Sequence, residues 1–150
     1  MMVMVKEEKI KIPDGNIEDN KENKKMNEKE LEMTLKLDPN KRYRYFIKKV
    51  ADYEEVWSLS NDRGWVTSED DNGKIQLHFW PTKEHAKYCA IEKWKDTNPE
   101  SISLEDFVEN WLPGMLEDNV GISIFYNNTD SISIPIPQVF SDIEDELENY

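Results

Sequence analysis

The sequence predicts an α+β fold in which two β-hairpins join into one four-stranded antiparallel sheet packed with helices. Apolar residues recur at helical spacing in several segments, they alternate in two pairs of short segments, and each alternating pair encloses turn residues. The predicted order is α-β-β-α-α-β-β-α. Because an isolated hairpin is only marginally stable, we expect the two hairpins to share one sheet.

The predicted order contains helix, hairpin, helix twice, so we also predict a loose internal duplication. Phe46 and Phe107 would lie in equivalent first helices of the two halves. Pro81 and Pro137 would mark the start of equivalent last helices. A rotation relating the two hairpins is what this hypothesis requires.

Residues 1–25 are predicted to be a flexible charged extension. This segment mixes both charge signs with Asn, Gly and Pro, so it cannot bury enough apolar surface to offset its ordering entropy. We therefore place a single α+β domain at residues 26–150. A short lead-in helix over residues 27–37, capped by Asn27, precedes a core over residues 38–150.

The elements of the core follow from local signals. Asp38-Pro39 caps and starts a helix whose apolar stripe reaches about Trp57. Trp65–Thr67 and Ile75–Trp80 form a predicted hairpin around Asn72-Gly73, a dipeptide that accepts the positive φ angles of tight turns. The remaining predicted elements are a helix over 83–95 capped by Thr82, a loop over 96–102, a helix capped by Ser103, a hairpin over 122–136 and a helix from Pro137. The predicted inner face of this last helix consists of Val139, Phe140, Ile143 and Leu147.

The charge distribution along the chain is strongly asymmetric. Residues 96–150 contain thirteen Asp and Glu and no Lys, Arg or His, so the formal net charge of −13 belongs entirely to this C-terminal part. Residues 1–95 hold all 19 basic side chains and are formally neutral. Nucleic-acid binding needs clustered Lys and Arg, so this pattern predicts no nucleic-acid ligand and favours a basic protein as partner.

Three features predict a cytoplasmic location. Cys89 is the only cysteine, which excludes an internal disulfide and suits a reducing compartment. The apolar run at the N-terminus ends before Lys6, so it is too short for the core of a signal peptide. No stretch approaches the roughly 20 apolar residues of a membrane span, so we expect no membrane partner.

Several sequence blocks resemble a known family. They are Arg42–Val50 (RYRYFIKKV), Gly64-Trp65, Phe79–Pro81 (FWP) and Phe107–Gly114 (FVENWLPG). Through these blocks, about residues 38–150 resemble the bacterial family catalogued as domain of unknown function 2750. The resemblance implies a small bacterial α+β protein. It implies no activity, because the family carries no assigned biochemistry.

His78, His85 and Cys89 carry the alternative hypothesis, a small ligand-binding domain or a thiol-dependent enzyme. A Cys-His nucleophile needs an orienting third group and an oxyanion site, and the sequence indicates neither. The spacing of these residues matches no standard zinc motif. We therefore predict no catalytic residue, no metal and no cofactor, and the plainer interpretation is a buried thiol beside a structural imidazole.

The sequence thus predicts a small acidic, non-enzymatic binding protein that recognises a basic protein partner. A toxin-neutralising immunity protein is the concrete form of this hypothesis, because opposite charges accelerate the encounter of two proteins. Charge that only maintains solubility is another interpretation. The predicted contact residues are Glu105, Asp106, Glu109, Glu117 and Asp118, with Trp80 and Trp111 as candidate aromatic contacts.

Overall fold

Helices and strands alternate irregularly along residues 26–149, the part of the chain that the computed structural model describes. Residues 1–25, where the extension is predicted, and Tyr150 lie outside the described residues, and the single domain over 26–150 stays a prediction. The helices are α1 (Glu28–Leu35), α2 (Pro39–Tyr53), α3 (Lys83–Tyr88), α4 (Leu104–Asp106), α5 (Leu112–Glu117) and α6 (Ile136–Leu147). The strands are β1 (Glu55–Asn61), β2 (Gly64–Trp65), β3 (Thr67–Glu69), β4 (Ile75–Phe79), β5 (Asn98–Ser103), β6 (Gly121–Ile124) and β7 (Ile132–Ser133).

Helix α2 begins where the sequence predicts and ends earlier. The Asp38 side chain caps its N-terminus by accepting a hydrogen bond from a backbone N–H of the first turn. The helix ends at Tyr53 because Glu54 adopts a left-handed conformation with a φ of 59°, which interrupts the helical hydrogen-bond series. The predicted continuation to about Trp57 is therefore wrong, and Trp57 lies in strand β1.

A three-stranded antiparallel sheet in the order β2-β1-β5 is not among the predicted elements. Strands β1 and β5 lie opposite each other along their length, from the pair Glu55–Ser103 to the pair Ser60–Asn98. Strand β5 has the sequence NPESIS, whose Asn, Pro and Glu have low strand propensity, and it lies at a sheet edge, where proline is tolerated. The predicted loop over 96–102 is therefore wrong because pairing with β1 outweighs local propensity.

A second sheet, in the order β3-β4-β6-β7, contains both predicted hairpins. Strands β3 and β4 pair antiparallel, and so do β6 and β7. The central strands β4 and β6 pair in parallel, with Leu77 opposite Ile122 and Phe79 opposite Ile124. The α+β class is confirmed, but a single four-stranded antiparallel sheet is wrong, since the long connection between β4 and β6 allows a parallel crossover.

The arrangement of the hairpins gives no support to the predicted internal duplication. In the first hairpin the second strand, β4, is central, whereas in the second hairpin the first strand, β6, is central. Corresponding strands of the two halves therefore occupy different places in the sheet. Strand β1 of the first half also pairs with β5, which precedes the first helix of the second half.

The two sheets are joined at a pair of tryptophans. The backbone N–H of Trp57 donates to the Trp80 carbonyl at 3.0 Å, and the N–H of Trp80 donates to the Trp57 carbonyl at 2.8 Å. This single antiparallel bridge connects β1 with the end of β4. Backbone hydrogen bonds therefore connect the two sheets at this point.

The helix predicted over residues 83–95 is shorter than expected. Thr82 caps α3 as predicted, its hydroxyl accepting from the His85 N–H at 3.2 Å, but the helix ends at Tyr88. A short 3-10 turn over Glu92–Trp94 follows, in which Glu92 adopts a φ of 54°. The two helical pieces are separated at Ile91, whose backbone is extended with a φ of −134°.

One apolar cluster draws residues from both sheets and from α2, α5 and α6. The rings of Phe79 on β4 and Phe107 meet edge to face at 5.0 Å between centroids. On α6, Val139 and Ile143 are buried as predicted, but Phe140 is 43% exposed. The predicted inner face of the last helix is therefore correct in part, and one large ring is left at the surface.

The buried cation Arg42 holds the loop after β6 against the helices. Its Nε donates to the Phe125 carbonyl at 3.1 Å and its Nη1 to the Leu37 carbonyl at 2.7 Å. Its Nη2 donates to both the carbonyl and the carboxylate of Asp130, at 3.0 and 2.5 Å. One side chain of α2 thereby fixes both ends of the segment from Phe125 to Asp130.

Candidate partner-binding surface

The predicted acidic contact residues lie along or just after one helical segment. This segment consists of α4, a wider π-helical turn over Phe107–Trp111, and α5. Ser103 caps it as predicted, its side chain accepting from the Asp106 N–H at 3.1 Å. Pro113 has no N–H to donate to the preceding turn, and the wider turn lies just before it.

Three of the five predicted acidic residues present their side chains to solvent. Glu105, Glu109 and Glu117 are exposed. Among the ion pairs formed within residues 26–149, none involves these three carboxylates. They are therefore available to a cationic partner without first giving up an ion pair to the described part of the chain.

The two other predicted acidic residues have local roles. Asp106 accepts a hydrogen bond from the Asn110 side chain at 2.7 Å and one from the indole of Trp111 at 3.3 Å. Asp118 follows the C-terminal end of α5, and its Oδ2 atom is buried with no hydrogen-bond partner among the described residues. Asp106 thus orients the helix, whereas Asp118 holds an unsatisfied acceptor that is costly to leave unpaired.

The two candidate aromatic contacts belong to the core. Trp80 is fully buried, and its indole N–H donates to the Tyr126 carbonyl at 2.8 Å. Trp111 is buried edge to face against Trp65 and Phe79, with centroid separations of 5.0 and 5.8 Å. Because neither ring presents appreciable area in this conformation, we leave both out of the surface and assign them a packing role.

Helix α6 carries further negative charge that was not included among the predicted contacts. Glu144 and Asp145 are exposed, and within residues 26–149 neither forms an ion pair. Asp142 accepts a hydrogen bond from the Tyr43 hydroxyl at 2.6 Å, and Glu146 pairs with Lys48 at 3.6 Å. Because α5 packs against α6, Glu117 at the end of α5 lies on a helix that neighbours the acidic helix α6. The run EDE at residues 144–146 shows this negative charge in the sequence, but only the packing shows that α5 lies beside it.

His85 is a buried structural residue. Its Nε2 lies 2.9 Å from the Thr34 hydroxyl and its Nδ1 lies 2.6 Å from the Thr82 hydroxyl. The Thr34 hydroxyl donates to the Glu30 carbonyl at 2.8 Å, so the proton of the imidazole belongs on Nε2. Burial lowers the pKa of His85 to about 3, so the ring is neutral and connects α1 with α3.

His78, on strand β4, lies in an aromatic cluster. Its Nε2 is 2.8 Å from the Ser68 hydroxyl, while its buried Nδ1 has no partner among the described residues. The ring lies against Trp94 and Tyr126, with centroid separations of 4.9 and 6.0 Å. Burial lowers the pKa of His78 to about 4, so this ring is also neutral at pH 7.

Cys89 is a buried thiol with no neighbouring base. Its Sγ donates to the Tyr126 carbonyl at 3.1 Å, the same carbonyl that accepts from Trp80. Burial raises the pKa of Cys89 to about 12, which opposes formation of a thiolate. His85 uses both ring nitrogens on threonine hydroxyls, so the sequence neighbours His85 and Cys89 do not form a nucleophile and base pair.

Cys89 is expected to resist a thiol-specific disulfide reagent in the native protein. Because a pKa near 12 lies about three units above that of a free thiol, the thiolate population falls roughly a thousandfold, and burial adds to the protection. Absorbance of the released thiolate measures the rate, with the urea-unfolded protein as the reactive control. Rapid labelling of the native protein at neutral pH would contradict this and favour the thiol-dependent alternative.

The described residues contain neither a cluster of metal ligands nor a helix that could span a membrane. No group of three or more His, Cys, Asp or Glu side chains within residues 26–149 is placed to hold a metal ion. None of the helices in this part of the chain is both long enough and apolar enough to cross a membrane.

A polar cleft of about 420 Å³ lies at one end of the β1–β5 ladder. Its lining includes Ser60, whose hydroxyl donates to the Glu100 carboxylate, the residues Asn61–Arg63, and Asp96. Ligand sites are usually lined by apolar and aromatic side chains with a few polar groups among them. Pro99 is the one apolar residue among those lining this cleft, so its lining does not indicate a small-molecule site.

The fold and the surface together define a small α+β protein with two β-sheets, a helical segment over residues 104–117 that carries exposed carboxylates, and an acidic helix α6 that packs against the end of this segment. The chain belongs to the family described as "Protein of unknown function (DUF2750)", which matches residues 43–142. The resemblance predicted from the sequence blocks is therefore confirmed. No curated protein and no solved structure matches the chain.

Proposed function

We propose that this protein is a non-enzymatic binding protein that recognises a basic protein partner through its acidic C-terminal part. The exposed carboxylates of Glu105, Glu109 and Glu117 carry the proposal, together with Glu144 and Asp145 on the neighbouring helix. No Lys, Arg or His follows Lys95 in the sequence. Such a surface attracts cationic proteins over a Debye length and speeds their association.

The position of the charge on α6 supports binding over a purely solubilising role. Glu144 and Asp145 lie in the C-terminal half of this helix, where the helix dipole makes negative charge unfavourable. Negative charge placed elsewhere would increase solubility without this cost. The position of these two residues at the unfavourable end of α6 supports the proposal that the local negative field itself is used.

Toxin neutralisation is the specific form of this proposal. An immunity protein must find a basic toxin quickly and hold it, and charge complementarity serves both association rate and choice of partner. A cytoplasmic location is part of the proposal, because the one thiol suits a reducing compartment. In cells whose growth is stopped by a cationic toxin encoded by a neighbouring gene, co-expression of this protein should restore growth.

The alternative, a ligand-binding or thiol-dependent enzyme domain that uses His78, His85 and Cys89, has little support. All three side chains are buried. His85 has both ring nitrogens hydrogen bonded to threonine hydroxyls, and the Cys89 thiol donates to a backbone carbonyl. Chemistry at these groups would need an opening of the core.

Neutralising the exposed carboxylates of the helical segment over residues 104–117 is expected to slow association with the partner about tenfold or more. The partner is first isolated by affinity capture from cells that naturally contain the protein, and association rates are then measured by surface plasmon resonance. The test variant replaces Glu105, Glu109 and Glu117 by Gln. The matched control neutralises three exposed acidic residues of the N-terminal part, Glu32→Gln, Asp52→Asn and Asp71→Asn.

Both variants change the net charge equally, so a difference between them reports position and not total charge. The rate for the native protein should also fall between about 50 and about 500 mM NaCl, as screening predicts. An association rate that is independent of salt, or equal slowing in both variants, would contradict recognition through the helical segment over residues 104–117.

A further inference from the structure

An apolar groove lies between the end of α5 and the start of α6. Its volume is about 190 Å³, and its walls come from the end of α5, the turn into β6 and the segment that leads into α6. Met115, Val120 and Ile136 are buried side chains among its lining residues. Drug-sized ligands occupy pockets of roughly 300–1,000 Å³, so this groove suits one large apolar side chain and not a whole metabolite.

The rim of the groove carries exposed apolar groups. Leu116 lines the groove and is 56% exposed, and Phe140, which follows Ile136 by one turn of α6, is 43% exposed. An isolated exposed leucine is ordinary on a protein surface. Here Leu116 lines a concave site and Phe140 lies one helical turn beyond the lining residue Ile136, and exposed apolar groups beside a concave site are typical of an anchor position in a protein interface.

The wall formed by the segment before α6 is conformationally restricted. Pro135 and Pro137 both line the groove, and their rings restrict φ to about −65°. Because the backbone of this wall is already restricted, it loses little additional entropy when a partner binds against it. Preorganisation of this kind strengthens binding without adding contacts.

The charges around the groove define what can occupy it. Glu117 and Asp118 follow Leu116 directly, and Glu144 lies one turn beyond Phe140 on α6. Lys74 is the one cationic side chain among the groove's lining residues. The surroundings are therefore apolar at the centre and mainly negative at the edges.

We propose that this groove is the docking site for an amphipathic basic helix of the partner protein, which inserts one large apolar side chain beside Leu116 and places Lys or Arg near Glu117 and Glu144. This inference rests on the proposed function and adds the location and chemistry of the contact. A helix lying in a groove is an established mode of peptide recognition, read through apolar anchors one turn apart.

The same charges argue against other occupants. In a symmetric dimer through this groove, Glu117 and Glu144 of one copy would approach the same acidic surface of the other. An anionic membrane surface would be repelled in the same way. A basic partner that presents an apolar side chain satisfies both the apolar centre and the acidic edge.

The test uses a synthetic amphipathic helical peptide of Lys, Leu and Ala as the probe. Its Leu residues recur at helical spacing on one face, and a scrambled peptide of identical composition is the control. We expect the amphipathic peptide alone to shift the amide NMR signals of Leu116, Val120 and Gly121 in the full-length protein. Binding of both peptides without these shifts would overturn the assignment of the groove.

The variant Leu116→Ser is expected to weaken binding of the amphipathic peptide about tenfold or more, measured by fluorescence anisotropy. Met33→Ser is the matched control, because Met33 is 61% exposed on α1 and does not line the groove. Phe140→Ser is a second test, one helical turn along α6 from the lining residue Ile136. Thermal unfolding of each variant verifies that it remains folded, as expected for exposed positions.

The outcomes separate the groove from the proposed function. Salt-sensitive binding that Leu116→Ser and Phe140→Ser leave unchanged overturns the groove and leaves acidic recognition standing. Binding that depends on Leu116 but is insensitive to salt supports the groove and contradicts recognition by charge. Self-association that is abolished by Leu116→Ser, seen by sedimentation, identifies a second copy as the occupant and overturns the proposal.

Discussion

Replacing Arg42 by Met is expected to lower the free energy of unfolding by about 3–5 kcal/mol. The substitution removes four hydrogen bonds and leaves the carbonyls of Leu37 and Phe125 without their cationic donor. Phe125 is fully buried with a left-handed φ of 58°, a strained conformation for a bulky residue that costs roughly 1–3 kcal/mol. Without the guanidinium, little would hold this strain in place.

Urea denaturation followed by circular dichroism measures the effect, and amide hydrogen exchange from Phe125 to Asp130 locates it. Arg44→Met is the matched control, because Arg44 is exposed on the same helix. Its unfolding free energy should stay within about 0.5 kcal/mol of the native value. A loss below about 1 kcal/mol for Arg42→Met would show that the loop does not depend on this side chain.

Lowering the pH from about 6.5 to about 4.5 is expected to destabilise the protein by roughly 3–5 kcal/mol through its two histidines. In the folded protein the pKa is about 4 for His78 and about 3 for His85, against 6.5 ordinarily. In this window the unfolded chain binds protons that the folded chain excludes. The stabilisation is therefore complete above pH 6.5 and is lost as the pH falls.

His85→Gln tests the assignment, because glutamine remains neutral throughout the window. The slope of unfolding free energy against pH should fall by about 1.4 kcal/mol per unit, one histidine's share, whatever the absolute stability of the variant. Glu30 and Lys49 are the charged groups that act on His85, so their titration is compared in the same series. An unchanged slope would mean that His85 is protonated in the folded state.

The elements that the sequence predicts correctly are those with local causes. The caps Asn27, Asp38, Thr82 and Ser103 all start helices, because each side chain satisfies an N–H in the following turn. Gly73 adopts a φ of 82° in the turn of the first hairpin, as the Asn-Gly dipeptide indicates. Both hairpins form because alternation and turn chemistry agree.

The errors concern contacts between segments distant in sequence. Strand β5 has weak strand propensity and forms against β1, which itself begins where a helix was predicted to continue. The parallel pairing of β4 with β6 depends on how the chain between them crosses the molecule, and periodicity carries no information on that path. Long-range pairing decided both features.

The candidate surface likewise has features that the sequence predicts and features that only the fold decides. The acidic residues are visible in the sequence, and three of the five predicted contacts are exposed. Trp80 and Trp111 lie in the core, because a tryptophan's indole N–H can be satisfied internally, by the Tyr126 carbonyl in one case and Asp106 in the other. The groove beside Leu116 joins segments that only the fold brings together.

The sequence by itself determined where helices start, where the chain turns, which family the chain belongs to and which part of it carries the negative charge. Each of these depends on residues close together in the chain or on composition alone. The tertiary structure alone decided the two-sheet topology, the buried role of Arg42 and the neighbourhood of α5 and α6. Those features arise from the competition among distant segments for burial and hydrogen bonds, which no local pattern records.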